Sequence, residues 1–171
     1  MSAGKEPSPT SVGLLILQVS ATHRAVRANT EGLTQEDALV QPTAGGNCLN
    51  WVLGHIMDSR NATLRLLGRE PLREERYVEV YRRGSPPLVE ASNALPLGTI
   101  MADYEESQGM IVQGLRELTA ARLAEGASFG GTVDTDENVG SVLARLVFHE
   151  AYHAGQTGVL RRIAGRNGAI A

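Results

Sequence analysis

His149 and His153 stand four residues apart in Phe148-His149-Glu150-Ala151-Tyr152-His153-Ala154-Gly155-Gln156, on the inner seam of what reads as a long helix. That seam is Val142, Leu146, His149, His153, Gln156, Leu160 and Ile163. Each residue follows the last by three or four positions, so all of them share one helical face. Such a face packs into a core, yet its middle steps are polar. Buried polar groups are costly unless they find partners. Two imidazoles one turn apart find theirs most economically in a shared metal ion.

The rest of the composition narrows the setting. A chain of 171 residues suits one compact domain, and 42% hydrophobic residues are enough for a core. Aromatics make up only 4% of the chain, so that core is built from Leu, Val, Ile and Ala, a palette that favours helix packed on helix. A net charge of −3 gives no reason to expect a nucleic-acid binder, which normally shows a basic face. The single cysteine, Cys48, excludes an intrachain disulfide framework and fits a reducing compartment. The opening MSAGKEPSPT is polar, without the apolar stretch of a leader, and the run Leu14-Leu15-Ile16-Leu17 ends far short of a membrane span. These features lead to the expectation of a soluble cytoplasmic protein with no membrane partner.

Residues 1–10 read as a flexible arm and residues 11–171 as one domain. A helix begins at Ser11, carries Val12, Leu15, Ile16, Val19, His23 and Val26 on one face, and closes at Gly32. Thr34-Gln35-Glu36-Asp37 reads as the first turn of a short helix. With Asn47 as its expected cap, a second long helix runs from Cys48 to about Leu67, closed by Gly68, with Leu49, Val52, His55, Ile56, Ser59, Thr63 and Leu66 inward. The charged, Pro-rich stretch from Arg69 to Pro96 includes Tyr77-Val78-Glu79-Val80-Tyr81, whose alternation predicts a short extended piece. A third long helix is expected over Thr99 to Ala124, then a Gly-rich loop over Gly126 to Thr135. Asp136 or Asn138 would cap the fourth helix, ending near Ala164 with Gly165 as its stop. Four long amphipathic helices make an all-α bundle, and the long link before the third permits it to run the same way as the second.

The chain's histidines are His23, His55, His149 and His153, and every one falls on an inward stripe. His55, His149 and His153 are therefore the expected metal ligands. Three neutral imidazoles on one side of an ion leave the other side open, as in catalytic rather than structural sites. His23 is a further candidate that would ligate, hydrogen-bond a bound water, or fill the core. Gln156, one turn past His153, would support a ligand.

His149-Glu150-Ala151-Tyr152-His153 also spells the metalloprotease helix motif. The common versions take a third ligand from further along the chain. Here the remainder, AGQTGVLRRIAGRNGAIA, contains no Asp, Glu, His or Cys, so the third ligand must come from upstream. Glu150 lies about a quarter-turn off the seam, and a solvated or interface position is expected for it.

The stretch Asn47-Cys48-Leu49-Asn50-Trp51-Val52-Leu53-Gly54-His55, followed by His149-Glu150-Ala151-Tyr152-His153-Ala154-Gly155-Gln156 and Leu160-Arg161-Arg162, resembles the DinB/YfiT-like superfamily of metal-dependent proteins. This is not the DNA polymerase that shares the DinB name. The resemblance spans nearly the whole chain. It implies a four-helix bundle in up-down-down-up order with a long crossover between helices two and three, a divalent metal (Zn, Ni or Fe) on His55, His149 and His153, and a homodimer. It also implies kinship with transferases that use a low-molecular-weight thiol such as bacillithiol or mycothiol, including a mycothiol-dependent maleylpyruvate isomerase. The expected function is a metal-dependent transferase joining a small thiol to an electrophile. The rival expectation is a non-catalytic metal-binding stress-response or sensing protein.

Other residues carry milder expectations. Cys48 reads as a small buried hydrophobe, although a helix start also favours a thiolate. Trp51 reads as packing or as a wall of the pocket, and Tyr152 as interhelical or interface packing. Arg60, Arg65, Arg69, Arg73 and Arg76 read as a solvated face set against Glu70, Glu74 and Glu75, the alternative being a site for carboxylates.

Overall fold

A computed structural model describes residues 11–43, 45–88, 90–127 and 137–170. Among these residues the chain is all-α, with helices α1 (Ser11–Thr30), α2 (Gln35–Leu39), α3 (Leu49–Leu66), α4 (Glu74–Tyr81), α5 (Leu97–Glu117), α6 (Ala120–Ala124) and α7 (Val139–Ile163), and a 3-10 turn at Ala91–Asn93. The arm expected over residues 1–10, most of the Gly126–Thr135 loop and Asp136 lie outside the described residues.

The ends form for local reasons. Thr34 caps α2 and Asn138 caps α7. In each case the cap side chain accepts from a backbone N–H three residues on, and that residue's side chain accepts from the cap's own N–H. Gly32, Gly68 and Gly165, the expected stops, all have positive φ. The expected Asn47 cap is not formed. Cys48 holds the N-cap position of α3 without any side-chain bond, because helix geometry begins one residue later, at Leu49.

Two further expectations are corrected. Tyr77–Tyr81 is helical, within α4. Aromatics at i and i+4 fit a strand face and a helix face equally well. Burial of both rings against α3 selects the helix. The third long helix also breaks. α5 stops at Glu117, Leu118 is extended, and Thr119 caps a new helix, α6, through Arg122 N–H. Ser/Thr side chains favour caps over helix interiors.

The long helices position the site. α1 packs on α5 and α7, and α3 packs on the same two. Along α3 and α7 the contacts run in opposite senses: His55 and Arg60 meet His149 and Glu150, while Ala62 shares a cluster with Val142 and Leu146. Along α3 and α5 they rise together, from Asn50 bonding Leu95 O, two residues ahead of α5, to Arg60 bonding Ser107 within it. α3 is buried on nearly every face rather than along one stripe. Its neighbours α2, α4, α5 and α7 surround it.

Candidate metal centre

The opposed packing of α3 and α7 brings three imidazoles to one point. His55 Nε2 lies 3.2 Å from His149 Nε2, and His153 Nε2 lies 3.1 Å from the same atom. Their rings meet edge to face, and one ligating atom from each lies within 4.8 Å of the others. Nitrogens bound at about 2.0–2.1 Å to one tetrahedral ion stand roughly 3.3 Å apart, so the observed spacing is that of a ligand set.

The outward nitrogens explain why these atoms face each other. His55 Nδ1 is 2.8 Å from the Tyr81 carbonyl oxygen, and His153 Nδ1 is 2.7 Å from Gln156 Oε1. Both partners only accept, so each Nδ1 carries the proton and each neutral ring presents a bare lone pair at Nε2. His149 Nδ1 lies 3.1 Å from Ser59 Oγ, which can donate or accept. Even if His149 Nε2 carried a proton, it would serve one neighbour and leave the other unmatched. A cation resolves the surplus of acceptors, and the residues fit that group.

The electrostatics agree. Burial lowers the pKa of all three rings. For His149, burial together with the neighbouring His153, His55 and Arg83 pushes it down to about 4. For His55, burial and Arg83 outweigh the Tyr81 carbonyl, which raises it. For His153, burial and His55 outweigh the raising bond to Gln156. At neutral pH the centre is three unprotonated imidazoles, the form that binds metal. His55 is buried, whereas His149 and His153 are half-buried, so the centre is reached from their side.

Local sequence builds the walls. Gly54 is needed because a Cβ there would meet Tyr81 Cγ at 2.4 Å. The Tyr81 ring fills that space, which seats α4 against α3 and sets the Tyr81 carbonyl on His55. Trp51, one turn before His55, stacks on its ring at 4.9 Å between centroids, and its indole N–H donates to Ser85 Oγ. The sequence read Trp51 as packing or as a wall but assigned no role to Ser59, Tyr81 or Arg83. Ser59 was legible as the next inward polar step after His55. Tyr81 acts through its carbonyl oxygen, which no side-chain pattern reveals.

Glu150 and Arg60 both correct their expectations. Glu150 is 5% exposed and Arg60 is 1% exposed. The guanidinium grips the carboxylate with two bonds, Nε to Oε2 at 3.1 Å and Nη2 to Oε1 at 2.7 Å. Its other donors reach Tyr104 O, Ser107 Oγ and Gln108 Oε1, so all the guanidinium N–H groups are used. The Tyr104 hydroxyl donates to Glu150 Oε1, and Arg60 also lies over the Tyr104 ring. Glu150, bound there, cannot serve as the water-polarising base of a metalloprotease. A solvated position failed because the face of α7 beside the histidine seam meets α3 and α5.

His23 belongs to this neighbourhood, not to the triad. It stacks on Tyr104 at 4.9 Å, and its Nε2 is 3.3 Å from Glu105. Arg65 keeps the expected pairing with Glu74, but Arg69 pairs with Glu117, Arg73 with Asp103 and Arg76 with Glu79. Cys48 is fully buried, which raises its thiol pKa and makes it the expected small hydrophobe. Tyr152 is 60% exposed with its ring edge on His153, so it packs between no helices. Ile163, expected inward, is exposed at the end of α7.

Comparison with known proteins follows the same lines. Among solved structures the chain is similar to a conserved protein from Enterococcus faecalis, with a TM-score of 0.67 and 14% identity, covering 88% of this chain and 95% of that one. At that identity the likeness concerns the fold. A search of curated proteins gave no match. The family model of the DinB superfamily matches residues 18–157, a span that contains His55, His149, His153 and Gln156. The chain belongs to the DinB superfamily.

Proposed function

We propose that this chain is a divalent-metal protein that activates a low-molecular-weight thiol for transfer to an electrophile. The observation that carries the reading is the convergence of three Nε2 lone pairs whose opposite nitrogens are already engaged. His55, His149 and His153 would hold the ion, and Tyr81, Ser59 and Gln156 would fix the rings. Three imidazoles suit Zn, Ni or Fe. A divalent ion supplies a Lewis acid that favours thiolate over thiol at neutral pH. The exposed Arg83, whose charge is felt at His55 and His149, favours an anion on the accessible side. Trp51 and Tyr81 shield the buried side.

The same proposal takes residues 11–171 as one domain with α1, α3, α5 and α7 as an up-down-down-up four-helix bundle. The stretch from Arg69 to Pro96, with α4 in it, forms the crossover. The opposed senses of α3 and α7 and the shared sense of α3 and α5 support it. The protein is read as cytoplasmic. Among the described residues no helix is long and apolar enough to cross a membrane. A homodimer is part of the reading, and the exposed Phe148 and Tyr152 on one face of α7 support it. Light scattering measures that state.

The test is turnover by metal-loaded protein with a panel of thiols and a chlorinated aromatic acceptor, in which the C–S bond forms and chloride leaves. Activity with at least one thiol, abolished in His153→Ala, is the expected result. No turnover with any thiol at full metal loading would remove the transferase reading and leave a metal-binding protein.

A further inference from the structure

We infer that the buried Arg60–Glu150 pair is a positioning device that sets the rotation and axial register of α7 against α3, and thereby the spacing of the histidine triad. This rests on the metal reading given above. Two consecutive residues of α3, Ser59 and Arg60, meet two consecutive residues of α7, His149 and Glu150. Successive helical side chains point about 100° apart, so each helix sends one of its two residues to the triad and the other to the ion pair. The triad and the pair are two readings of one helix-to-helix register.

Net stability does not account for the pair. Well-packed apolar residues of similar volume commonly serve a core as well as, or better than, a buried ion pair. The pair adds directionality that apolar contacts lack. A guanidinium and a carboxylate joined by two bonds fix both distance and orientation. Arg60 is itself held by the third helix, α5, through Tyr104 O, Ser107 and Gln108, so it cannot follow α7 if that helix turns or slides. Rotating a helix by roughly 10° moves an atom at its side-chain radius by about 1 Å. That is more than a ligand set tolerates, since such sites hold within about 0.5 Å. The apolar layer beside the triad does not impose this limit: Ala62, Val142 and Leu146 are smooth and non-directional.

The experiment replaces the pair with apolar residues, Arg60→Met together with Glu150→Leu, and titrates the metal-free protein with Zn2+ and, for its absorption spectrum, with Co2+. The expected result is a melting temperature at or above that of the wild type, with Zn2+ affinity weakened roughly ten- to hundredfold and the Co2+ bands altered. Leu115→Ala, which opens a different apolar cluster, should lower the melting temperature and leave the Zn2+ affinity of the folded protein unchanged. Unchanged Zn2+ affinity and Co2+ bands in the double variant would overturn the inference, as would an equal loss of affinity in Leu115→Ala. Should the double variant fail to fold, Glu150→Gln keeps the volume, and the same two readouts decide. A wild-type protein that takes up neither ion would instead remove the metal reading, before any variant is made.

Discussion

Two polar clusters lie one residue apart between the same helices, and they are finished in opposite ways. Around Arg60 and Glu150 the donors and acceptors match: the guanidinium spends every N–H and the carboxylate accepts on both oxygens. Around His55, His149 and His153 the outward nitrogens are matched while the inward ones form a surplus of acceptors. Both are expensive places to put polar atoms. Burial of polar groups alone therefore does not mark a binding site in this core. The count of donors against acceptors does, because of the two only the histidine cluster has a surplus of lone pairs that a cation would match.

The comparison breaks first under deletion. Glu150→Ala leaves the Arg60 charge buried without its partner and should cost about 3–5 kcal/mol in urea unfolding at constant slope. His55→Ala in metal-free protein removes one neutral hydrogen-bonded ring from a cluster that lacks a donor, and should cost about 1–2 kcal/mol. Equal losses would mean that the two clusters are alike after all.

Metal separates them next. Zn2+ at a hundredfold excess over its dissociation constant should stabilise the wild type by about 2.7 kcal/mol. The same addition should give no shift in melting temperature for His149→Ala or His153→Ala. A shift that survives both changes would place the ion elsewhere.

The outward bonds supply a smaller effect. Gln156→Ala and Ser59→Ala should each weaken Zn2+ binding about tenfold, close to 1.4 kcal/mol. The metal-free melting temperatures should barely move. Calorimetric titration of both variants measures this, and unaltered affinity would show that the rings are held by packing alone.

Acid gives the finest distinction. Burial lowers the His149 pKa from 6.5 to about 4 in the folded protein, and those of His55 and His153 shift in the same direction. Between these values the unfolded chain binds more protons than the folded one. The contribution of these rings to the stability of the metal-free protein is therefore fully present above pH 6.5 and falls as pH drops toward 4. Unfolding midpoints across that range should show the fall, and His149→Ala should make it shallower, with His55 and His153 keeping their share. A profile as steep in the variant would assign the titration to other groups.

Much of this was legible in the linear chain. The helix of residues 11–30, the short helix opening at Thr34-Gln35-Glu36-Asp37, the stops at Gly32, Gly68 and Gly165, Asn138 as one of two candidate caps and the inward placement of all four histidines follow from local spacing and local hydrogen bonding. These are properties of one turn of helix and its neighbours, and a sequence carries them directly. The convergence of His55 with His149 and His153 was legible too, since polar residues on facing seams must meet each other.

Four outcomes needed the packed molecule. Tyr77–Tyr81 fits two periodicities until its rings find the space over Gly54 and the rest of α3. The run from Thr99 to Ala124 hides a break at Leu118 and Thr119. Arg60 looks like its solvated neighbours, and Glu150 looks like either a motif base or a surface acid. The physical reason is common to all of them. Periodicity tells which side chains share a face, but a face has no identity until another helix covers it. Which helix does so depends on contacts scores of residues apart along the chain. From the spacing alone came the helices and the histidines that meet. The tertiary structure alone decided that Arg60, beside Ser59, and Glu150, beside His149, would become a closed ion pair and not part of the site.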